Sequence, residues 1–168
     1  MSNALFWANS IKTGAFVRIA TGEGKIPFIH PQDIADVATV ALTTRAYVGP
    51  SLPITDPRAL SYAEMAAKIG TAIGKGVGIH HISDEEVRRE MLRHGDSPED
   101  VDAHLSIYRA IREGRLASVT NTVDRVLDRK PISFDQWVRE NAAAFSEAIP
   151  VPAPTCRTHT DAPSAARG

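Results

Sequence analysis

The chain has 168 residues, of which 43% are hydrophobic and 23% charged, values typical of one ordinary globular domain. Its 19 Lys and Arg balance 20 Asp and Glu, so there is no basic surplus to hold a phosphate backbone, and nucleic acid is not an expected partner. A single cysteine excludes an internal disulfide, no apolar run could cross a bilayer and no signal-peptide pattern opens the sequence, so we expect a cytoplasmic protein without membrane contact.

The first third of the sequence predicts a helix over residues 2–12, short strands over residues 15–19 and 26–29, and a second helix over residues 31–44. In the second helix the apolar residues recur at i, i+3, i+4, i+7 and i+8, the spacing of one helix face. This spacing predicts a continuous buried stripe formed by Ile34, Val37, Ala38, Ala41 and Leu42.

Four serines mark helix starts in the remainder of the chain. Ser61, Ser83 and Ser133 each stand three residues before a Glu or Gln, which is the capping-box pattern, and Ser97 precedes a proline at the first helical position. The apolar faces predicted for three of these helices comprise Tyr62, Met65, Ala66 and Ile69; Val101, Leu105 and Tyr108; and Phe134, Trp137, Val138 and Phe145. Short strands over residues 52–54 and 77–82 and a helix over residues 120–128 complete the prediction.

The composition divides the chain into two parts. Residues 1–149 have the apolar periodicity of a folded region, whereas residues 150–168 are rich in Pro, Ala, Ser and Thr and almost free of large apolar side chains. Such a segment cannot offset the entropy of ordering. We therefore expect a folded region followed by a disordered tail.

Familiar catalytic and cofactor motifs are missing or misplaced. The glycine cluster GKGVG, residues 74–78, follows a helix and precedes a strand, the reverse of a dinucleotide-binding loop, so it predicts a helix end and turn. His80 and His81 are neighbours on a predicted strand and point to opposite faces, so we expect no metal site. Neither a Tyr-x-x-x-Lys pair nor a Gly-x-Ser-x-Gly elbow occurs, which leaves the catalytic residues unassigned.

His30 is the one residue here that allows two interpretations. It precedes Pro31 at the predicted start of the second helix, where a loop can face a cleft. It can equally be a turn residue beside the N-cap, with Pro31 at the first helical position and Asp33 placed well against the helix dipole.

Three segments together carry a resemblance to a known family: MSNALFWANSIKTGAF, ATGEGKIPFIHPQDIADVATVALTT and YVGPSLPITDPRALSYAEMAAKIGTAIGK. In this order and spacing they resemble the NmrA-like proteins, atypical extended short-chain dehydrogenases/reductases, from Met1 to about Phe145. The resemblance implies an α/β fold that is the C-terminal half of a Rossmann-like NmrA-type fold, helix-rich with a few short strands. The glycine-rich loop that holds NAD(P)H in the family has no counterpart in these residues.

The resemblance also implies a role. The chain would be a truncated relative of NAD(P)-dependent oxidoreductases that supplies the substrate-side part of the pocket, with NAD(P)H as the family's cofactor but not bound by this chain alone. The substrate-binding candidates it implies are Asn3, Phe6, Trp7, Phe28 and His30, which could instead pack against the half of the fold that is not matched. The alternative is a non-catalytic binding module or dinucleotide-sensor relative that acts through a protein partner or as a homodimer.

Overall fold

The computed structural model describes residues 1–49 and 51–146, so the predicted tail, residues 150–168, lies outside the described residues. Within those residues the chain forms the predicted helix-rich α/β fold with a few short strands. The α-helices are α1 (Ala8–Gly14), α2 (Pro31–Thr43), α3 (Tyr62–Ile73), α4 (Asp84–His94), α5 (Pro98–Arg112), α6 (Thr122–Leu127) and α7 (Phe134–Asn141). The strands are β1 (Phe16–Ile19), β2 (Lys25–Ile26), β3 (Leu60–Ser61) and β4 (Gly78–His81), and 3₁₀ helices span Ser2–Trp7, Arg45–Tyr47 and Ala142–Ala144.

Two small strand pairs organise the fold. β1 runs parallel to β4, with Val17 opposite Ile79 and Ile19 opposite His81, while β2 and β3 form an antiparallel pair. Along β1, Val17 and Ile19 are buried while the residue between them is exposed, the alternation expected of a half-buried strand. The strands predicted over residues 15–19 and 77–82 are thereby confirmed.

Two other strand predictions need correction. The strand predicted over residues 26–29 ends at Ile26, because Pro27 has no N–H with which to continue the ladder. Residues 52–54 form no strand within the described part of the chain. A strand needs a neighbour to accept and donate its backbone hydrogen bonds, and no described strand lies alongside this segment.

The core consists of two apolar clusters that meet at β1. The larger cluster brings together Ile11 of α1, Val17 of β1, Met65 of α3 and Trp137 of α7, all 3% exposed or less. The smaller cluster packs α4 and α5 together with Ala20, at the end of β1. The apolar faces predicted for α3, α5 and α7 point into these clusters, so α5 is fixed against the rest of the fold from one side.

The predicted caps are largely confirmed. Ser61 and Ser83 form complete capping boxes, and Ser97 accepts a hydrogen bond from the Asp100 N–H ahead of Pro98. Ser133 accepts from the Gln136 N–H. The Gln136 side chain, however, donates to Glu140 instead of returning to the cap, so the third capping box is only half formed.

The stripe predicted on α2 is wrong for most of its residues. Only Val37 is buried, whereas Ile34 is 45% exposed and Leu42 86% exposed. Ala38 is also exposed and Ala41 is only partly buried. The helix packs on α6 through the side that carries Val37 and Asp33, which leaves Ile34, Ala38 and Leu42 exposed.

Asp33 anchors that packing. Its carboxylate is fully buried, accepts a hydrogen bond from Arg129 at 2.7 Å and accepts a second from the backbone N–H of Ile132 at 2.8 Å. Asp36 accepts from the same guanidinium at 2.6 Å. A buried carboxylate paired in this way ties the start of α2 to the loop before α7.

The first predicted helix, residues 2–12, is divided in two. Ser2–Trp7 is a 3₁₀ helix without a side-chain cap, and the α-helix begins only at Ala8. Such 3₁₀ turns are frequent at helix starts. Ala4 is the buried residue of the 3₁₀ helix, whereas Phe6 is 87% exposed.

Candidate functional site

A cavity of about 300 Å³ opens between the first 3₁₀ helix, α3 and α5. Its lining is mainly apolar and aromatic, and none of the lining residues carries an acidic or strongly basic side chain. The residues are Asn3, Ala4, Phe6, Trp7, Ile26, Phe28, Tyr62, Met65, His104, Ile107, Tyr108 and Ile111. Its volume is at the lower end of the range for small-molecule sites.

One wall of the cavity is a group of three aromatic rings. The rings of Trp7 and Tyr62 meet edge to face with centroids 5.2 Å apart, and those of Phe28 and Tyr62 are 5.6 Å apart. The β2–β3 pair holds the segments together, because it places Ile26 opposite Leu60 just before α3 begins. Tyr62 is thus the centre of this wall.

The opposite wall is one face of α5. His104, Ile107, Tyr108 and Ile111 follow the i, i+3, i+4, i+7 spacing that brings side chains to one side of a helix. The rings of His104 and Tyr108 meet edge to face at 4.7 Å. The neighbouring face of the same helix is buried in the smaller apolar cluster, so the wall has a rigid support.

Gly24 sets how closely α5 approaches the rest of the fold. A Cβ atom at this position would lie 2.2 Å from the carbonyl oxygen of Ile111, far inside van der Waals contact. The turn after β1 therefore packs its bare backbone on the end of α5, which is a close approach that only glycine permits. The end of α5 is also held by Arg112, whose guanidinium donates to Asp84 at 2.8 Å.

The two tyrosines of the cavity remain protonated at neutral pH. Burial, reinforced by the proximity of Tyr108, raises the pKa of Tyr62 to about 12, and burial raises the pKa of Tyr108. The site thus offers neutral phenol groups, which can donate or accept a hydrogen bond, within an otherwise apolar lining.

Four of the five residues that the sequence nominated for substrate binding lie around this cavity. Asn3, Phe6 and Trp7 come from the 3₁₀ helix and Phe28 from the segment after β2. His30 does not line it. It is the N-cap residue of α2, where its Nδ1 accepts from the Gln32 N–H at 3.0 Å.

The other ring nitrogen of His30 faces α7. Nε2 lies 3.4 Å from a carboxylate oxygen of Glu140 and makes no hydrogen bond with any residue that the structure describes. The turn interpretation of His30 agrees with this geometry, and a role for it in substrate binding stays a prediction.

Sequence reasoning missed the residues contributed by α3 and α5. Tyr62 and Tyr108 were assigned to helix packing and His104 was not singled out, yet all three line the cavity. One available signal was the width of the apolar surface of α5. Ile107 and Ile111 form a second stripe beside Val101 and Leu105, which is more than one buried face requires.

The cluster of glycines at residues 74–78 has the geometry of a helix end. Gly74 ends α3 in the left-handed conformation with φ 67° and donates its N–H to carbonyls of the last turn, and β4 begins at Gly78. The predicted C-cap and turn are therefore confirmed.

A dinucleotide pyrophosphate binds to free backbone N–H groups where a glycine loop opens onto a helix. Among residues 1–49 and 51–146, every α-helix of eight or more residues has one first-turn N–H bonded to a side chain. The caps are His30, Ser61, Ser83, Ser97 and Ser133. The glycine cluster at residues 74–78 opens none of these helices, because it follows the end of α3.

The described residues contain neither a metal-binding group of side chains nor a membrane-spanning helix. No group of three or more His, Cys, Asp or Glu side chains is placed to hold a metal ion there, and the neighbouring His80 and His81 are both exposed on β4. Among the same residues no helix combines the length and apolar character needed to cross a membrane.

The chain is similar in sequence to known reductases. It is 34% identical over 148 residues to an NAD(P)H azoreductase of Xenophilus azovorans, which covers 88% of this chain and 52% of that protein. It is 38% identical over 137 residues to the uncharacterised oxidoreductase YesF of Bacillus subtilis, covering 82% of this chain and 48% of that protein. No family model matches the sequence.

Its fold is similar to that of solved reductases. An NADPH-dependent quinone oxidoreductase from Escherichia coli superposes with a TM-score of 0.72 at 18% identity, over 83% of this chain and 50% of that one. The chain spans about half the length of the curated relatives it matches. It is therefore related to NAD(P)H-dependent oxidoreductases along about half of their length.

Proposed function

We propose, from this relationship, that the chain is the C-terminal, substrate-side part of an NmrA-like NAD(P)H-dependent reductase. In this role it binds a small organic acceptor, and the dinucleotide-binding part of the fold completes the pocket. NAD(P)H then supplies the hydride when that part is present. The residues proposed to contact the acceptor from this chain are Asn3, Phe6, Trp7 and Phe28.

The cavity between the first 3₁₀ helix and α5 is the observation that carries this proposal. It is concave, mostly apolar and supplied with a few polar groups, which is the usual character of a small-molecule site. Phe6 lies at its rim and is 87% exposed. An exposed phenylalanine beside an apolar cavity is expected where another surface or a ligand completes the site.

Under this proposal the chain by itself does not bind NAD(P)H tightly. The glycine cluster at residues 74–78 stands at the end of α3 and does not open onto a helix, so it does not supply the N–H donors of a pyrophosphate loop. Cofactor contacts in the complete pocket then come chiefly from the other part of the fold.

A reconstitution assay tests the proposal. The part of the Xenophilus azovorans azoreductase that this chain does not match is expressed separately and mixed with the chain, NADPH and an azo dye. We expect NADPH oxidation above that of either component alone. Phe28→Ala should lower this rate, whereas Phe16→Ala, which removes an aromatic ring outside the cavity, should not.

The azoreductase's own second half serves as the positive control in this assay. If that half restores NADPH oxidation and this chain does not, with several acceptors tried, the proposed role is wrong. Oxidation of NADPH by this chain without any added part would also contradict it.

A second candidate function is suggested by the outer face of α2. We propose that this face, defined by Ile34, Ala38 and Leu42, is an interface through which the chain forms a homodimer. All three residues are exposed, and exposed apolar patches mark interaction sites or aggregation liabilities.

Sedimentation velocity at low micromolar concentration tests this interface. We expect a dimer that Leu42→Glu converts to a monomer. The matched variant Leu92→Glu, at a 43% exposed leucine of α4, should remain dimeric. A monomeric parent chain, or a dimer indifferent to Leu42→Glu, would contradict the assignment.

A further inference from the structure

The geometry of the cavity assigns a substrate class: we infer that it binds an uncharged, flat aromatic compound of one or two fused rings carrying a hydrogen-bond acceptor. This inference rests on the proposed function, since it names the acceptor for the same site. It is drawn from the shape, ring arrangement and charge of the lining residues.

The arrangement of the aromatic side chains around the cavity favours an aromatic ligand. Trp7, Phe28 and Tyr62 form a continuous aromatic wall with centroid separations of 5.2 and 5.6 Å. Across the cavity the edge-to-face pair of His104 and Tyr108 forms a second aromatic surface. Aromatic rings pair with one another in offset-stacked or edge-to-face geometry and gain about 0.5–1.5 kcal/mol beyond area burial. A flat ring that enters the cavity meets such partners on both sides.

Size and charge narrow the class further. The cavity that this chain forms by itself has a volume of about 300 Å³, which suits a small ligand. Because none of its lining residues is a Lys, Arg, Asp or Glu, a charged ligand bound to the chain alone would lose hydration without gaining a partner ion. This chain's lining therefore favours neutral compounds.

The tyrosines supply the polar recognition. Tyr62 and Tyr108 both line the cavity, and their phenols stay protonated at neutral pH. A phenol O–H can donate a hydrogen bond to a carbonyl, hydroxyl or ring nitrogen of a ligand. This predicts an acceptor atom on the aromatic ligand.

The position of the two tryptophans makes the inference measurable by NMR. Trp7 lines the cavity, whereas Trp137 is 3% exposed in the core, and they are the chain's 2 tryptophans. The full isotope-labelled chain is titrated with 1-naphthol while both indole N–H signals are followed. We expect saturable movement of the Trp7 signal and a stationary Trp137 signal, which also reports that the fold is intact.

Two control ligands test separately whether the ligand must be aromatic and whether it must be neutral. Decahydro-1-naphthol has the same carbon skeleton and hydroxyl but is puckered, and 1-naphthoate is flat but negatively charged. Both should bind at least severalfold more weakly than 1-naphthol. Equal binding of the puckered alcohol would overturn the aromatic assignment, and equal binding of the carboxylate would overturn the neutral one.

Variants then locate the binding. Tyr62→Leu, which keeps an apolar side chain but removes the central ring, should weaken 1-naphthol binding by about two- to tenfold. Phe16→Leu removes a ring that stacks on His80 outside the cavity and should leave the affinity unchanged. No movement of the Trp7 signal, or equal effects of both variants, would overturn the inference.

This result is separable from the test of the proposed function, because the titration contains no NADPH. Saturable 1-naphthol binding without reconstituted NADPH oxidation would retain the aromatic site and reject the reductase role. If NADPH oxidation is reconstituted but proceeds equally well with aromatic and non-aromatic acceptors, the reductase role is retained and the aromatic site is rejected.

Discussion

At the scale of single residues, Val37 is the clearest test of how α2 packs. It is 4% exposed, whereas the neighbouring Ala38 is exposed. Val37→Asp should destabilise the fold by about 3–5 kcal/mol, because the carboxylate would be buried without a partner. Thermal and urea unfolding measure this loss.

Thr39→Asp provides the matched control for that variant. It places the same side chain two positions later in the same helix, at an exposed residue outside the proposed dimer face, and should change stability by less than about 0.5 kcal/mol. Equal stability of the two variants would mean that the buried side of α2 has been misassigned.

Asp56 makes a pH-dependent contribution at the same scale. It is 2% exposed, and burial raises the pKa of its carboxyl above the ordinary value of 3.8, against weaker opposing effects from Arg58 and the Phe134 backbone. One oxygen accepts from the Arg58 N–H at 2.8 Å and the other has no partner among the described residues. The protonated form is therefore favoured by folding.

Because folding raises the pKa of Asp56, the stability that its protonated form contributes is fully present below about pH 4. This stability is lost as pH rises through the raised pKa. Asp56→Asn mimics the protonated side chain. The parent chain should therefore match the variant near pH 4 and become less stable than it towards neutral pH. Denaturant unfolding from pH 4 to neutral pH measures the difference in unfolding free energy between the two proteins. The other carboxylates are present in both proteins, so their contributions cancel in this difference. A parent that gains stability relative to Asp56→Asn as pH rises would contradict the assignment.

At the scale of elements, the contact of Gly24 with α5 links the turn after β1 to the cavity. Gly24→Ala should force the end of α5 away from Ile111, because the added carbon would lie 2.2 Å from a backbone oxygen. We expect lower stability, by about 1–3 kcal/mol, and weaker 1-naphthol binding as the α5 wall moves. Thermal unfolding and the Trp7 titration measure the two effects.

Gly76→Ala is the control for this element. An added Cβ there meets nothing within 4 Å and its φ is not positive, so stability and ligand binding should change little. If both glycine variants behave alike, the close packing of Gly24 does not position α5.

The elements also show what the sequence could and could not predict. A serine cap depends on contacts between residues three positions apart, so the capping boxes of Ser61 and Ser83 could be predicted from the sequence. The periodicity of α2 predicted one buried apolar stripe, but only Val37 of that stripe is buried, because long-range packing on α6 decides which side of the helix is covered. The cavity role of Tyr108 was missed because it depends on the approach of α5 to α3, which long-range packing decides.

At the scale of the whole molecule, two surfaces define what this chain can do. The first is the cavity with its aromatic walls, which suits a small acceptor. The second is the apolar outer face of α2, where Leu42 is 86% exposed. The chain also matches about half of each related reductase. The proposed role as the acceptor side of a reductase pocket rests on these features.

Isothermal titration calorimetry of the purified 168-residue chain with NADPH and, separately, with 1-naphthol tests this role most directly. We expect saturable heat for 1-naphthol and none for NADPH up to millimolar concentration, because the glycine cluster at residues 74–78 follows α3 and does not open onto a helix. Micromolar or tighter binding of NADPH by the chain alone would contradict it.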